Sequence, residues 1–240
     1  DSIDVFAGTA LSAADLGVGV HIKSADSSAS ASVHADELVI ENSANAGLSV
    51  LSGTSNTGSI FFGDSGDNDI GYIQYEHGST NALYFGANAG TKMAINADGE
   101  VTKPLQPAFA VKPTSNQSDI NCVNTHVTVV FGTEIFDIGA NFASNTFTAP
   151  VTGKYQLQTN LYLSDFDASA DYLQADIVTS NNTYSTIWET GSEDSYVTLN
   201  IACTADMDAS DTAYVRLFQG SGAAQVDIRT AARFSGHLAC

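Results

Sequence analysis

The run Phe147-Thr148-Ala149-Pro150-Val151-Thr152-Gly153-Lys154-Tyr155-Gln156-Leu157 permits few folds. Proline fixes its own φ and donates no backbone hydrogen bond, so Ala149-Pro150 closes a strand. Thr152-Gly153 then supplies turn residues. From Lys154 onward the chain alternates. Tyr155, Leu157, Thr159, Leu161 and Leu163 share one face, and Lys154, Gln156, Gln158, Asn160 and Tyr162 share the other. That pattern predicts a half-buried strand in an antiparallel sheet.

The rest of the chain repeats the signal. Its 240 residues suffice for one large or two modest domains, and the apolar content is that of a folded protein. Polarity comes mainly from Ser, Thr, Asn, Gln and Gly, which suits β surfaces. A short piece at Leu11-Ser12-Ala13-Ala14-Asp15-Leu16 is the best helix candidate. Before Pro104, strand-like pieces recur roughly every ten residues. They are 18–22, 38–40, Leu48–Leu51, 59–62, 71–75, 82–85 and 92–95, separated by polar turns at 52–58, 64–69 and 97–99. Ser24–Ala35 is Ser/Ala-rich and reads as a connector. Each of these strands offers two or three core residues, too few to offset chain entropy alone. Sharing a core between identical chains is the remedy, which predicts an obligate homotrimer with a β-rich trimeric shaft.

Lys103-Pro104-Leu105-Gln106-Pro107 marks a boundary, because paired prolines stop strands and stiffen linkers. The expected domains are 1–104 and 105–240. In the second, strands are read at 109–112, 127–131, 135–138, 145–149, 154–163, 172–179, 184–189, 196–203, 213–218, 225–228 and 232–238. The expected fold class is all-β, a trimeric β-stranded shaft followed by a jelly-roll head.

Two resemblances accompany this reading. Gly58-Ser59-Ile60-Phe61-Phe62-Gly63-Asp64, Gly71-Tyr72-Ile73-Gln74-Tyr75-Glu76-His77, Leu83-Tyr84-Phe85-Gly86 and Met93-Ala94-Ile95 with Asp98-Gly99 and Val101 follow one another in order. Over about 36–103 this resembles a segment of bacteriophage tail fibres, which lies in a trimeric shaft. From about 105 to the end, the chain resembles the globular head of complement C1q, a trimeric jelly roll related to tumour necrosis factor. Phe147, Gly153, Tyr155, Leu157, Asp211-Thr212-Ala213-Tyr214-Val215 and Phe234-Ser235-Gly236-His237-Leu238 carry that likeness. Asn141 and Phe142 depart from it by being adjacent, and His237 stands where an aromatic is usual. Together the resemblances imply a virion-surface fibre protein that binds a host glycan or protein and contacts other virion proteins. A head fibre or capsid decoration protein and a secreted bacterial C1q-like adhesin are the alternatives.

Charge narrows the partners. The net charge is −19, with 13 acidic residues before Pro104 and 14 after it. No basic patch exists to meet phosphates, so nucleic acid and anionic membranes are disfavoured. No apolar run reaches membrane-spanning length. The N-terminal Asp1-Ser2-Ile3-Asp4 has no signal-peptide character and no starting Met, so the expectation is a trimmed or partial chain.

Several constellations invite chemistry. Gly63-Asp64-Ser65-Gly66 copies the nucleophile motif of chymotrypsin-like proteases, but no His motif accompanies it and its composition is that of a turn. The reading is therefore non-enzymatic. Asp64, Asp67 and Asp69, and separately Asp206, Asp208 and Asp211, are calcium candidates, since Ca²⁺ takes six to eight oxygens. Glu76 falls thirteenth from Asp64, off the calcium-hand spacing. The plainer reading of both groups is a solvated turn, with no cofactor. The five His show no zinc spacing and read as surface or strand-edge residues. Cys203 continues the apolar face of Val197, Leu199 and Ile201, Cys240 ends the chain, and a Cys122–Cys203 bridge stays open. Tyr162 and Tyr172 lie opposite their strands' apolar faces, which makes them receptor-binding candidates, while packing in the core or between subunits is the plainer reading. Trp188 is expected to be buried.

Overall fold

The computed structural model describes residues 11–13, 20–191 and 195–240. Among these residues there are strands and turns and no helix. The chain divides into two compact units, Asp1–Thr102 and Lys103–Cys240.

In the first unit, β1 (Leu11–Ala13), β2 (Val20–Lys23) and β3 (Leu38–Glu41) form a small sheet, antiparallel between β1 and β2 and parallel between β2 and β3. Of the short piece at 11–16 that came nearest to a helical pattern, Leu11–Ala13 is strand paired with β2. Asp1–Asp4, Ala14–Leu16 and Val18–Gly19, on which other expectations rested, lie outside the described residues. His21 is a correction. It is fully buried, with Nε2 2.8 Å from Glu41 Oε2. Glu41 also accepts hydrogen bonds from the Ser27 amide and hydroxyl at 2.6 and 2.8 Å. A carboxylate so well supplied with donors can hold an imidazole inside.

β4 (Thr57–Phe62), β5 (Gly71–Glu76), β6 (Ala82–Ala87), β7 (Gly90–Ile95) and β8 (Val101–Thr102) form an antiparallel meander in that order. The register is Ile60↔Ile73, Ile73↔Phe85, Leu83↔Ile95 and Ile95↔Val101. It stacks apolar side chains on one face. Ser59, Gln74 and Tyr84 share the other, where Gln74 Nε2 donates to Ser59 Oγ at 3.0 Å. Leu48–Leu51 is not a strand. No described residue of the unit pairs with it as a strand, and Leu51 is 92% exposed.

The second unit is a two-sheet jelly roll. One sheet holds β9 (Ala108–Lys112), β10 (Gln117–Ile120), β12 (Thr133–Ile138), β15 (Gly153–Ser164), β18 (Tyr196–Met207), β20 (Val226–Ile228) and β21 (Arg233–Leu238). Its order is β10-β20-β15-β21-β9-β12, and β18 also pairs with β15, from Gly153↔Met207 to Ser164↔Tyr196. The other sheet holds β11 (Val127–Thr128), β13 (Phe142–Ala143), β14 (Thr146–Thr148), β16 (Tyr172–Thr179), β17 (Thr183–Glu189) and β19 (Thr212–Gly220), with order β13-β14-β19-β16-β17 and β11 beside β19.

The alternation read on β15 is realised. Tyr155, Leu157, Leu161 and Leu163 are fully buried, and Thr159 turns inward with them. Facing them in one core are Leu173, Ala175, Ile177, Val215 and Leu217. An aromatic cluster fills one end, where Phe109 lies 4.6 Å from Phe147, 5.3 Å from Phe142 and 5.0 Å from Phe234 between ring centres. Phe142 therefore has a core place, while Asn141 donates to the Ile138 carbonyl and Asp137 accepts from both their amides. Gly153 is needed where it stands, because a Cβ there would sit 2.7 Å from the Cys240 carbonyl oxygen. Trp188 is half-buried rather than buried, edge-on to Phe166 at 5.0 Å. β17 is an edge strand, so one side of the indole is left to solvent.

Candidate functional site

β16 buries Leu173, Ala175 and Ile177 and so turns Tyr172, Gln174, Asp176 and Val178 outward. The register with β19 sets Tyr172 opposite Gly220, Gln174 opposite Phe218 and Asp176 opposite Arg216. Gly220 has no side chain, and the Tyr172 ring lies across it. A Cβ at Gly220 would come within 2.7 Å of Tyr172 Cε1. Tyr172 and Phe218 stack at 5.8 Å and 24°. His126, just before β11, brings its ring 5.0 Å from Phe218. Three flat rings thus line one stretch of the outer face, a geometry suited to packing against a partner's apolar surface.

Beside them lies a polar network around Asp176. This carboxylate is fully buried, although its strand position faces outward. Arg216 Nε donates to Oδ2 at 2.8 Å, His126 Nε2 lies 3.3 Å from the same oxygen, and Gln174 Nε2 donates to Oδ1 at 2.8 Å. Burial pushes the Asp176 carboxyl up. Hydrogen bonds from Ser185, Gln174 and Arg216, with the Arg216 charge, outweigh it and hold the group below the ordinary carboxylate range. A buried pair of this kind adds little stability over an apolar substitute. Its effect is geometric, since it fixes Arg216, His126 and Gln174 in place beside the rings.

These groups do not form a nucleophilic triad. A nucleophilic triad needs His between Ser and the acid, whereas here Ser185 and His126 both address the same carboxylate. Gly63-Asp64-Ser65-Gly66 is a turn between β4 and β5, and Asp64 Oδ1 accepts from the Gly66 and Asp67 amides at 2.7 and 3.1 Å. These bonds hold the Asp64 carboxyl below its ordinary range, while a hydrogen bond with Asp67 raises that of Asp69.

The two calcium candidates have separate engagements. Asp67 accepts from the Asp69 amide at 3.2 Å. Asp206 pairs with Lys154 at 2.5 Å, and Asp211 accepts from Asn181 and the Asp208 amide. Among the described residues, no three His, Cys, Asp or Glu converge as a metal group would require. Tyr162 and Tyr172 are not brought together. Tyr162 lies on β15 in the other sheet, where it tilts against Tyr196 at 5.6 Å. Cys122, Cys203 and Cys240 are free thiols, so the open bridge is not formed. Burial raises Cys122 and Cys203 to about 11 each.

A C1q domain model matches residues 108–239, more than half of the chain. The chain belongs to the C1q domain family. Domains of this family are typically trimeric, extracellular ligand-binding modules without catalytic activity. Among solved structures, the chain is similar to the globular domain of zebrafish complement 1qA protein, at 18% identity and a TM-score of 0.43, covering 56% of this chain and 98% of that one. It is also similar to murine APRIL, at 13% identity and a TM-score of 0.41 for the pH 5.0 structure, covering 55% and 98%. No curated protein matches.

Within the C1q domain, sequence reasoning singled out Tyr172 and passed over its neighbours Asp176, Arg216, His126 and Phe218. One signal was available, a lone acid and a lone base, each in mid-strand at an outward position of an alternating run. His126 offered none, because it precedes a two-residue strand.

Proposed function

We propose that the chain is a non-catalytic structural fibre protein of a bacteriophage virion, a homotrimer whose C1q domain recognises a glycan or protein receptor on the host surface. Family membership carries the binding-module part of this reading. The order of fibre-like motifs over 36–103 carries the virion part, with residues 1–104 as shaft and other virion proteins as neighbours.

The outward face of the β15 sheet supports self-association. Ala108, Ala110, Gln158, Asn160, Asn200, Ala202 and Ser235 lie on it, and its one carboxylate on β15 and β18, Asp206, is paired with Lys154. Copies of a chain carrying −19 approach best where no unpaired acid faces them. A cleft of about 540 Å³ beside Asn160, Asn200 and Arg233 leaves room for a neighbour's side chains. Tyr162 then belongs to subunit contact and Tyr172 to the receptor face. Three copies of a modest site on one rigid trimer gain avidity through effective concentration.

Labelled full-length chain titrated onto intact host cells tests this. Saturable binding that falls roughly tenfold or more in a Tyr172→Ala, Arg216→Gln double variant is expected. No binding by the wild type would move the protein to capsid decoration. A secreted bacterial C1q-like adhesin fits the family match equally, and immunogold labelling of virions separates the two.

A further inference from the structure

The β4–β8 meander is one layer with a dry face. Ile60 and Phe62 on β4, Ile73 and Tyr75 on β5, and Leu83 and Phe85 on β6 stand on it by register. The face continues onto β7 through Met93 and Ile95 and onto β8 through Val101, with Lys92 at its Gly90 margin. Among the described residues it is left largely uncovered. Phe62 and Val101 are 57% exposed, Ile60 42% and Ile73 37%. Val50 packs near Gly58 and borders a cleft with Ile60, Ile73 and Leu83. In a chain so rich in acids, a continuous apolar face that carries no acid marks an interaction surface.

We propose that this face is the contact between copies of the chain in the shaft, with three faces meeting around a common axis. The inference rests on the homotrimeric reading of the C1q domain. Six-residue strands at about 3.4 Å per residue, spaced about 4.8 Å apart, give each face on the order of 400 Å². Two such faces bury on the order of 800 Å², short of a stable interface, so the contact depends on what else holds the copies together. The meander ends at Thr102 and the C1q-bearing unit begins at Lys103. A trimer of that unit therefore holds three meanders at high effective concentration, whatever their affinity alone. The occupant is a second and third copy of the same dry surface.

Adjacent residues give the test. Phe62 points to the dry face at 57% exposure and Phe61 to the opposite face at 51%. Full-length chains carrying Cys240→Ser and either Phe62→Cys or Phe61→Cys are treated with a bulky maleimide, and their mass is measured by light scattering. The expected result is a trimer in which Phe61→Cys labels quickly and Phe62→Cys labels roughly tenfold or more slowly. Val101→Cys, on the same dry face, repeats the measurement should Phe62→Cys fail to fold. A trimer in which both faces label at the same rate overturns this contact and leaves the homotrimeric reading standing. A folded monomer at micromolar concentration overturns the homotrimer itself.

Discussion

In the C-terminal unit, Leu157, Leu161 and Leu163 on one sheet and Leu173, Ile177 and Leu217 on the other are all fully buried. In the N-terminal unit, Ile60, Phe62 and Ile73 stand just as regularly on alternate positions and remain 37–57% exposed. Residue types and strand periodicity are alike in the two regions. The difference is a second layer. Two sheets that face each other dry both inner surfaces within one chain, whereas a single meander dries none. Stability in the jelly roll therefore belongs to the chain, and under the proposed shaft contact stability in the meander becomes a property of assembly and of protein concentration.

The sharpest way to break this comparison is to empty the self-contained core. Phe109→Ala removes the ring that contacts Phe142, Phe147 and Phe234, and is expected to cost about 3–5 kcal/mol. Urea unfolding followed by hydrogen exchange in β9 and β21 measures it. A loss below about 1 kcal/mol would mean that the aromatic cluster does not hold the sandwich. Next in size is Arg216→Met, which strands the Asp176 carboxylate. Complete burial of both partners would make the loss about 3–5 kcal/mol, but the Arg216 side chain is 25% exposed and other donors to Asp176 remain, so about 2 kcal/mol is expected. Replacing Asp176 with Leu in the same chain recovers most of it, because the pair positions the site more than it stabilises the fold. A double variant as unstable as Arg216→Met would refute that division.

Much of this contrast was legible before any coordinates. Tyr172–Thr179 was read to its true ends, and β15 to within one residue of each, because long alternating runs between turn residues have one plausible partner geometry. Gln117–Ile120 escaped notice. It is polar, lacks alternation and pairs only with β20, through an irregular register. Leu48–Leu51 looks like a strand and is none, since strand formation needs a neighbour and propensity supplies only a preference. The site was half legible. Tyr172 has the wrong parity for core, which a sequence displays. That Asp176 meets Arg216, forty residues away, is a fact of register between β16 and β19, and no local pattern encodes it.

Acid probes a different part of the N-terminal unit, the β1–β3 sheet. Hydrogen bonds from the Ser27 amide and hydroxyl, with the charge of Lys23, bring Glu41 from 4.5 to about 2 against the upward push of burial. A carboxyl lowered on folding favours the folded state fully above its ordinary value, and the advantage fades as pH falls from about 4.5 to 2. Amide exchange in β2 and β3 is therefore expected to quicken over that window, and Glu41→Gln to remove the pH dependence. An identical acid profile in the variant would place the sensitivity elsewhere.

The smallest effect is a chemical one, and it separates buried from accessible within the jelly-roll unit. Thiolate, not thiol, attacks an alkylating reagent. Cys122 and Cys203, raised to about 11 by burial, hold almost no thiolate at neutral pH. Cys122 is also fully enclosed, and Cys203 packs against the core from the inward side of β18. Cys240 is exposed. Iodoacetamide at pH 7.5 is thus expected to modify Cys240 alone in the native protein, and all three thiols once urea opens the sandwich. Peptide mass mapping reads the outcome directly. Because Cys203 sits opposite Leu157 on the paired strand, early modification there would show that β18 peels from β15 without global unfolding. The jelly roll would then be less self-contained than its fully buried leucines imply, and closer in kind to the meander.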